Sequence, residues 1–247
     1  MTTVIKTLTG GYSGSNVLLM QDDHRVFVRK VNNIDRNYLK LIKLFELGYA
    51  VPKIYDKQNN VLDIEYFYGS DIRTFLLTGN PNKLTDYIIN NIDSFRKTSS
   101  PKSYYNIIKN KLESIKKPLP FDLNFFLEKI PHNLESSLCH GDLTLDNIIY
   151  KSDGTFGMID PSEGEFDSWI FDLAKLRQDL EGHWFLRNNP AKLEVKLLSI
   201  KNALRDAYPE AFDDNLYILM LLRVYHYTLE DSLEHKLILK EIERLWK

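Results

Sequence analysis

The sequence predicts an α+β chain with two lobes: a small antiparallel β-sheet lobe carrying one helix, then a mostly helical lobe. Three observations predict it. Short β-branched runs separated by turn residues fill about the first 70 residues. Gly69-Ser70-Asp71 marks a change of character. Beyond it, apolar residues recur at helical spacing. At 247 residues, folding buries roughly 70% of the extended-chain surface, enough for one large domain or two small lobes. We divide the chain into residues 1–68, the β-rich lobe, and 69–247, the mostly helical lobe.

Thr3–Thr9, Asn16–Gln21 and Arg25–Val31 read as strands, with turns at Gly10-Gly11, Gly14 and Asp22-Asp23-His24. Ile34–Leu47 reads as a helix, because Tyr38, Leu41, Ile42 and Phe45 recur at i, i+3, i+4 and i+7. Gly48 sits at its C-terminal cap and Pro52 excludes further helix. Strands follow at Lys53–Asp56 and Val61–Tyr66. Helices are expected at Asp71–Leu77, Lys83–Lys97, Ser103–Ile115 and Leu123–Lys129. Asp153-Gly154 makes a hairpin turn between Asn147–Lys151 and Thr155–Ile159. The remainder reads as helices at Trp169–Phe185, Ala191–Ala207, Asp213–Leu229 and Leu233–Trp246. A cleft between two lobes is a common place for a ligand, and Gly69 lies near the junction.

Composition excludes several classes. Hydrophobic residues at 43% and charged residues at 27% are globular proportions. With 32 basic and 34 acidic residues the net charge is −2, which argues against a general nucleic-acid binder. The single cysteine, Cys139, excludes an internal disulfide and a Cys-rich zinc site. The first residues lack the apolar core of a signal peptide. The longest apolar run, Leu216–Leu222, is far below the roughly 20 residues that span a bilayer. We expect a cytoplasmic protein with no membrane insertion and no nucleic-acid partner; the oligomeric state is not encoded in any visible signal.

The chemistry concentrates in Leu138-Cys139-His140-Gly141-Asp142-Leu143-Thr144-Leu145-Asp146-Asn147, followed by a hairpin and Ile159-Asp160. Phosphoryl transfer needs a positioned hydroxyl and cations that neutralise the triphosphate. A carboxylate such as Asp142 orients the hydroxyl and accepts its proton, and Asn147 and Asp160 offer hard oxygen ligands for Mg²⁺. His140 braces the loop rather than reacting.

The stretch HGDLTLDNIIY, followed by GMIDP, resembles the catalytic loop of the aminoglycoside phosphotransferase and choline kinase superfamily, which has a protein-kinase-like fold. The resemblance implies an ATP-dependent kinase with Asp142 as catalytic base and Asn147 and Asp160 as magnesium ligands. Phe171–Leu176 resembles the family's D-x-A-x-L helix start, which implies that Asp172 braces the loop. Gly10–Val17 resembles the nucleotide-covering loop, with Gly11, Ser13, Gly14 and Ser15 against the phosphates. Phe27–Val31 resembles the third strand, whose lysine contacts the α- and β-phosphates. Lys30 is chosen because Arg29 faces the other way. The backbone from Glu65 and Tyr66 to Tyr68 then forms the hinge against adenine. The likeness covers about residues 4–180. The FVRK strand and the IDP…FDS…DLAKL run are also similar to phosphotransferase-like proteins encoded with bacterial surface-polysaccharide genes. That implies a sugar, polyol or amino-alcohol acceptor. Choline or ethanolamine kinase, and aminoglycoside inactivation, are the alternatives.

Three positions depart from the family pattern. The helix at 34–47 offers only Asp35 and Glu46 as partners for Lys30, neither well placed. Pro161 stands where an aromatic residue is common, and Thr144 where protein kinases carry lysine. The missing helix acid supports a rival reading, a nucleotide-binding module that has lost transfer. Simpler readings stand beside these. His140 can be a core histidine, Asp172 a helix N-terminal acid, the 10–14 loop a plain hairpin turn, and Lys30 an edge-strand lysine. Cys139 reads as a small buried residue, since neighbours in a strand face opposite sides. Glu163, Glu165, Asp167, Asp179 and Glu181 read as a solvated acidic face or as an attractor of a cationic acceptor, walled by Trp169, His183 and Trp184.

Overall fold

The structure is a computed structural model and describes residues 2–8, 16–119, 121–187 and 192–246. In chain order its strands and helices are β1 (Thr3–Leu8), β2 (Asn16–Gln21), β3 (Val26–Val31), α1 (Asp35–Glu46), β4 (Ile54–Gln58), β5 (Val61–Glu65), β6 (Gly69–Asp71) and α2 (Ile72–Thr78). Then come α3 (Pro81–Arg96), β7 (Ser100–Ser103), α4 (Tyr105–Glu113), α5 (Leu123–Lys129), β8 (Asn133–Ser136), β9 (Ile148–Lys151) and β10 (Phe156–Met158). The chain ends with α6 (Trp169–Leu180), α7 (Glu194–Ala207), α8 (Asp214–Tyr225) and α9 (Leu233–Leu245). They form two compact units, 1–75 with 146–164, and 76–145 with 165–247.

In the first unit the five-stranded sheet has the order β1-β2-β3-β5-β4, antiparallel throughout. β3 lies in its middle, and its period of two divides neighbouring side chains. Phe27 and Arg29 share one face, where the guanidinium lies 5.5 Å from the ring centroid and binds Asp63 through two hydrogen bonds of 2.7 Å. Lys30 points to the other face and is buried. α1 buries Leu41 and Leu44. It ends where expected, with Gly48 at φ 82° and its N–H bonded to the Phe45 carbonyl.

A second sheet, in the order β10-β9-β6, belongs to the same unit. The Asp153-Gly154 turn that joins β9 and β10 is closed by the Thr155 N–H and hydroxyl on Asp153 Oδ1, with Gly154 at φ 84°. β6 passes so close to β9 that a Cβ on Gly69 would lie 2.1 Å from the Tyr150 carbonyl oxygen. The sequence reading has no strand at 69–71, because three residues of Gly-Ser-Asp carry no strand pattern.

The second unit is built on α6 and α8. Leu216–Leu222, the longest apolar run, is a buried helix face. Nearly all of α6 is buried. It stops at Leu180 rather than continuing to Phe185: His183 takes φ 56°, and a Cβ at Gly182 would sit 2.5 Å from the Tyr217 hydroxyl. β7 and β8 form a small antiparallel pair. The expected helix at Ser103–Ile115 begins only at Tyr105, since Ser100–Ser103 pairs as strand.

Candidate active site

One group of residues lies in the second unit, on the loop 138–145 and one face of α6. Ser168 caps that helix by accepting the Ile170 N–H at 3.2 Å. Asp172, in its first turn, is 2% exposed and accepts two loop amides: His140 N–H at 2.5 Å and Gly141 N–H at 2.8 Å. Two turns on, buried Asp179 accepts the Leu145 N–H at 2.7 Å. Between them Lys175 Nζ lies 2.5 Å from Asp142 Oδ1. Residues 172, 175 and 179 are spaced i, i+3 and i+7, so they form one stripe of the helix.

The backbone of the loop is thus pinned at both ends, and Asp142 is presented between the pins. Its side chain is 39% exposed. Burial works against its charge, but Lys175, by field and by hydrogen bond, together with His140 and Arg223, holds the carboxyl below the ordinary range. His140, Cys139 and Thr144 are buried beside it. Sequence reasoning missed Lys175 and Asp179. The signal was there: Asp172, Lys175 and Asp179 form an i, i+3, i+7 polar stripe.

The other group lies in the first unit. Lys30 Nζ forms an ion pair with Asp160 Oδ1 and donates to Asn37 Oδ1 at 3.2 Å. Asn37 also donates to the Pro161 carbonyl at 2.7 Å. The carboxamide of Asn37 therefore stands where α1 was searched for an acid. Asp35 instead approaches Lys57. One turn on, Lys40, 2% exposed, reaches Glu163 at 3.2 Å, and the Glu163 N–H donates to the Arg36 carbonyl. α1 is thereby tied to the segment that follows Asp160. Asp160 itself sits at φ 58°, in the left-handed region that costs a non-glycine residue about 1–2 kcal/mol. The Ile159 N–H bond to the Asn147 carbonyl, at 2.9 Å, fixes Asp160 next to Asn147 at the open end of the β9/β10 hairpin.

Asn147 and Asp160 offer hard oxygen donors from adjacent strand ends. Among the described residues no cluster of three or more His, Cys, Asp or Glu side chains could hold a metal by itself. Two protein donors completed by phosphate oxygens and water are the usual provision for Mg²⁺, so this pair fits such an ion.

Of the remaining predicted residues, Gly11, Ser13, Gly14 and Ser15 lie outside the described residues. Glu65 ends β5, where its N–H donates to the Lys53 carbonyl and its carboxylate accepts the Lys53 N–H. Tyr66 packs edge-on against Tyr68, with centroids 5.0 Å apart. Four of the five acids of the acidic run have partners within the fold. Glu163 is held by Lys40, Asp167 by Lys102 and the Tyr104 hydroxyl, Asp179 by the loop and Glu181 by Arg177. Trp169 and Trp184 are core residues, 1% and 8% exposed. Among the described residues no helix is long and apolar enough to cross a membrane.

Comparison with known proteins adds three results. Residues 111–213, which include Asp142, Asn147, Asp160 and Asp172, match the model of the phosphotransferase enzyme family. No curated protein matches the sequence. Solved structures share the fold. A thermostable mutant of the aminoglycoside phosphotransferase APH(4)-Ia, in ternary complex with AMP-PNP and hygromycin B, superposes with a TM-score of 0.63 at 13% identity, over 97% of this chain and 92% of that one. A putative fructosamine-3-kinase from Haemophilus somnus gives 0.65 at 17% identity, over 98% and 90%. The choline kinase LicA from Streptococcus pneumoniae gives 0.57 at 16% identity, over 97% and 91%. Residues 111–213 are thus similar to the phosphotransferase enzyme family, and the chain as a whole has the protein-kinase-like fold of these small-molecule kinases.

Proposed function

We propose that the protein transfers the γ-phosphoryl group of ATP to a hydroxyl of a small molecule, a sugar, polyol or amino-alcohol. One observation carries the reading. The loop backbone is clamped to α6 through Asp172 and Asp179, while the Asp142 carboxylate is left ionised and partly exposed. A purely structural acid would not be presented in this way.

In this reading Asp142 accepts a hydrogen bond from the acceptor hydroxyl and orients its oxygen in line with the γ-phosphorus. A bond forms between that oxygen and phosphorus. The bond from phosphorus to the β,γ-bridging oxygen breaks, ADP leaves, and the hydroxyl proton passes to Asp142 and on to solvent. Lys30, released from Asp160 by nucleotide, binds phosphate oxygens. Asn147 and Asp160 hold Mg²⁺, which when bound neutralises charge on the phosphates. Asp172 and Asp179 act through the loop and are positioning residues.

The test is magnesium-dependent ADP release from ATP across a panel of sugars, polyols, amino-alcohols and aminoglycosides, with Asp142→Asn run beside it. Acceptor-stimulated release that falls by about 10²–10⁴ in the variant is expected. ATP binding with no release on any acceptor would leave a nucleotide-binding module, and failure to bind nucleotide would remove the reading altogether.

A further inference from the structure

An ammonium carries three N–H donors, and withdrawing them from water is unfavourable unless they find acceptors. Two half-buried lysines of the second unit show how this fold meets that need when the role is structural. Lys117 Nζ donates to the Tyr225 carbonyl at 3.0 Å and to the carbonyl and hydroxyl of Thr228. Lys196 Nζ donates to the carbonyls of Leu76, Leu77 and Gly79, at 2.5, 3.5 and 3.0 Å. Each ammonium is closed by oxygen atoms at or just beyond the end of a helix, α8 in one case and α2 in the other.

Lys175 is arranged otherwise. Its side chain is 15% exposed, and among the described residues its one polar partner is Asp142, whose Oδ1 lies 2.5 Å from Nζ. Donors of this ammonium are therefore left over beside the carboxylate that the kinase reading makes the catalytic base. The same helix fixes the loop that carries that base, through Asp172 and Asp179 on either side of Lys175. The loop brings no permanent cation of its own: Leu138–Asn147 contains neither lysine nor arginine.

We propose that Lys175 is a catalytic residue: its ammonium, paired with Asp142 in the free protein, donates to the equatorial oxygens of the γ-phosphoryl group as that group passes to the acceptor. The proposal rests on the kinase reading and adds one residue to it. Phosphoryl transfer spreads negative charge over those oxygens, and fixed cations aimed at it are most of what a protein contributes. The acceptor hydroxyl and Lys175 Nζ each stand one hydrogen bond from the same carboxylate, so the phosphorus that bonds to the hydroxyl oxygen arrives next to the ammonium. A flexible four-carbon stem lets the spare donors follow it while α6 stays in place.

The balance of the step is unchanged. The bond from the acceptor oxygen to phosphorus forms, the bond to the β,γ-bridging oxygen breaks, and the hydroxyl proton goes to Asp142. Lys175 keeps its proton throughout. As its ammonium turns to the phosphoryl group it loosens its hold on Asp142, and a carboxylate less tightly paired is the better proton acceptor. A lysine that only braced Asp142 would not distinguish a phosphoryl group in flight from one at rest.

That difference is the test. Mg²⁺ and ADP with aluminium fluoride, a planar mimic of the group in flight, are compared by calorimetry with Mg²⁺ and ADP alone and with Mg²⁺ and AMP-PNP. Wild type should bind ADP at least about tenfold more tightly when aluminium fluoride is present. Lys175→Met should lose most of that gain while its AMP-PNP affinity changes by less than about threefold, and Lys175→Arg should recover part of it. In the wild-type protein one lysine ammonium NMR signal, identified by its loss in Lys175→Arg, should move further when aluminium fluoride joins ADP than when AMP-PNP replaces ADP. That signal decides the matter if Lys175→Met binds no nucleotide at all. A gain intact in Lys175→Met, equal losses for AMP-PNP and for the fluoride complex, no gain in wild type, or an unmoved lysine signal would each overturn the proposal and leave the kinase reading standing. Wild-type protein that binds none of these nucleotides would overturn both.

Discussion

Removing the Asp172 carboxylate is the most direct test of how the catalytic loop is held. Asp172→Ala leaves the His140 and Gly141 N–H groups without their acceptor, in a place where Asp172 is 2% exposed. A hydrogen bond to a charged group contributes about 1.5–3 kcal/mol, so two give about 3–6 kcal/mol. Water entering the vacated space would bring the loss toward the lower figure. Domains are stable by only about 5–15 kcal/mol, so this is a large fraction. The readout is favourable. All three tryptophans, Trp169, Trp184 and Trp246, lie in the second unit, so urea unfolding followed by tryptophan fluorescence reports that unit. With a slope of about 1–3 kcal/mol per molar urea, the midpoint should fall by at least about 1 M. Asp172→Asn keeps the shape and one acceptor oxygen, and should fall between wild type and alanine. A loss under about 1 kcal/mol for Asp172→Ala would refute the claim that these two bonds hold the loop.

Other consequences follow from the same geometry. Lys175→Met removes the cation that holds Asp142 below the ordinary carboxylate range. The acid limb of the kcat/KM profile should therefore move to higher pH, by an amount that solvent screening at a carboxylate 39% exposed keeps small. The sign is fixed: the stabilisation from a depressed acid is full at neutral pH and is lost as pH falls through its folded value, and the variant loses it sooner. Asp160→Asn should raise the Mg²⁺ concentration for half-maximal transfer by about tenfold or more, measured by metal titration at fixed ATP, because one of two hard donors loses its charge. Gly69→Ala forces a Cβ against the Tyr150 carbonyl. It should cost the first unit about 1–3 kcal/mol and speed hydrogen exchange in β9 while leaving tryptophan fluorescence unchanged.

Much of the fold was legible because local chemistry and global packing agree. The β-branched runs at 16–21 and 26–31, the Asp153-Gly154 turn and the Gly48 cap each name their own structure. Ser100–Ser103 and Gly69–Asp71 do not, because they become strands only through partners at 133–136 and 149–151. The pairing of β6 with β9 also groups residues 146–164 with the first unit, and no local pattern announces that register. Within the candidate site, Asp142, Asn147 and Asp160 stand out by residue type and spacing. Asn37 did not, because the search there was for an acid. Asp179 looked like one more charge in an acidic run. What it binds is a backbone amide 34 positions earlier, and a backbone amide leaves no mark in the sequence.

α6 shows what a buried helix gives up for such a site. A helix covered on nearly every side is normally apolar all round. This one retains Asp172, Lys175, Arg177, Gln178 and Asp179 in its interior turns. What each binds separates scaffold from site. Arg177 lies well round the helix from the 172–175–179 stripe. It is closed off by Glu181 and Asp214, the bonds of a group that locks α6 to α8. The stripe residues face the loop instead. Two of them spend their charge on loop amides and the third on Asp142. Every residue but proline carries a backbone amide N–H whatever its side chain, and a carboxylate can accept two of them, one on each oxygen. Fixing a loop by its amides leaves its side chains free to be chosen for chemistry. That is why the one acid of this loop whose position the helix most tightly determines, Asp142, can also be the one left partly open to solvent.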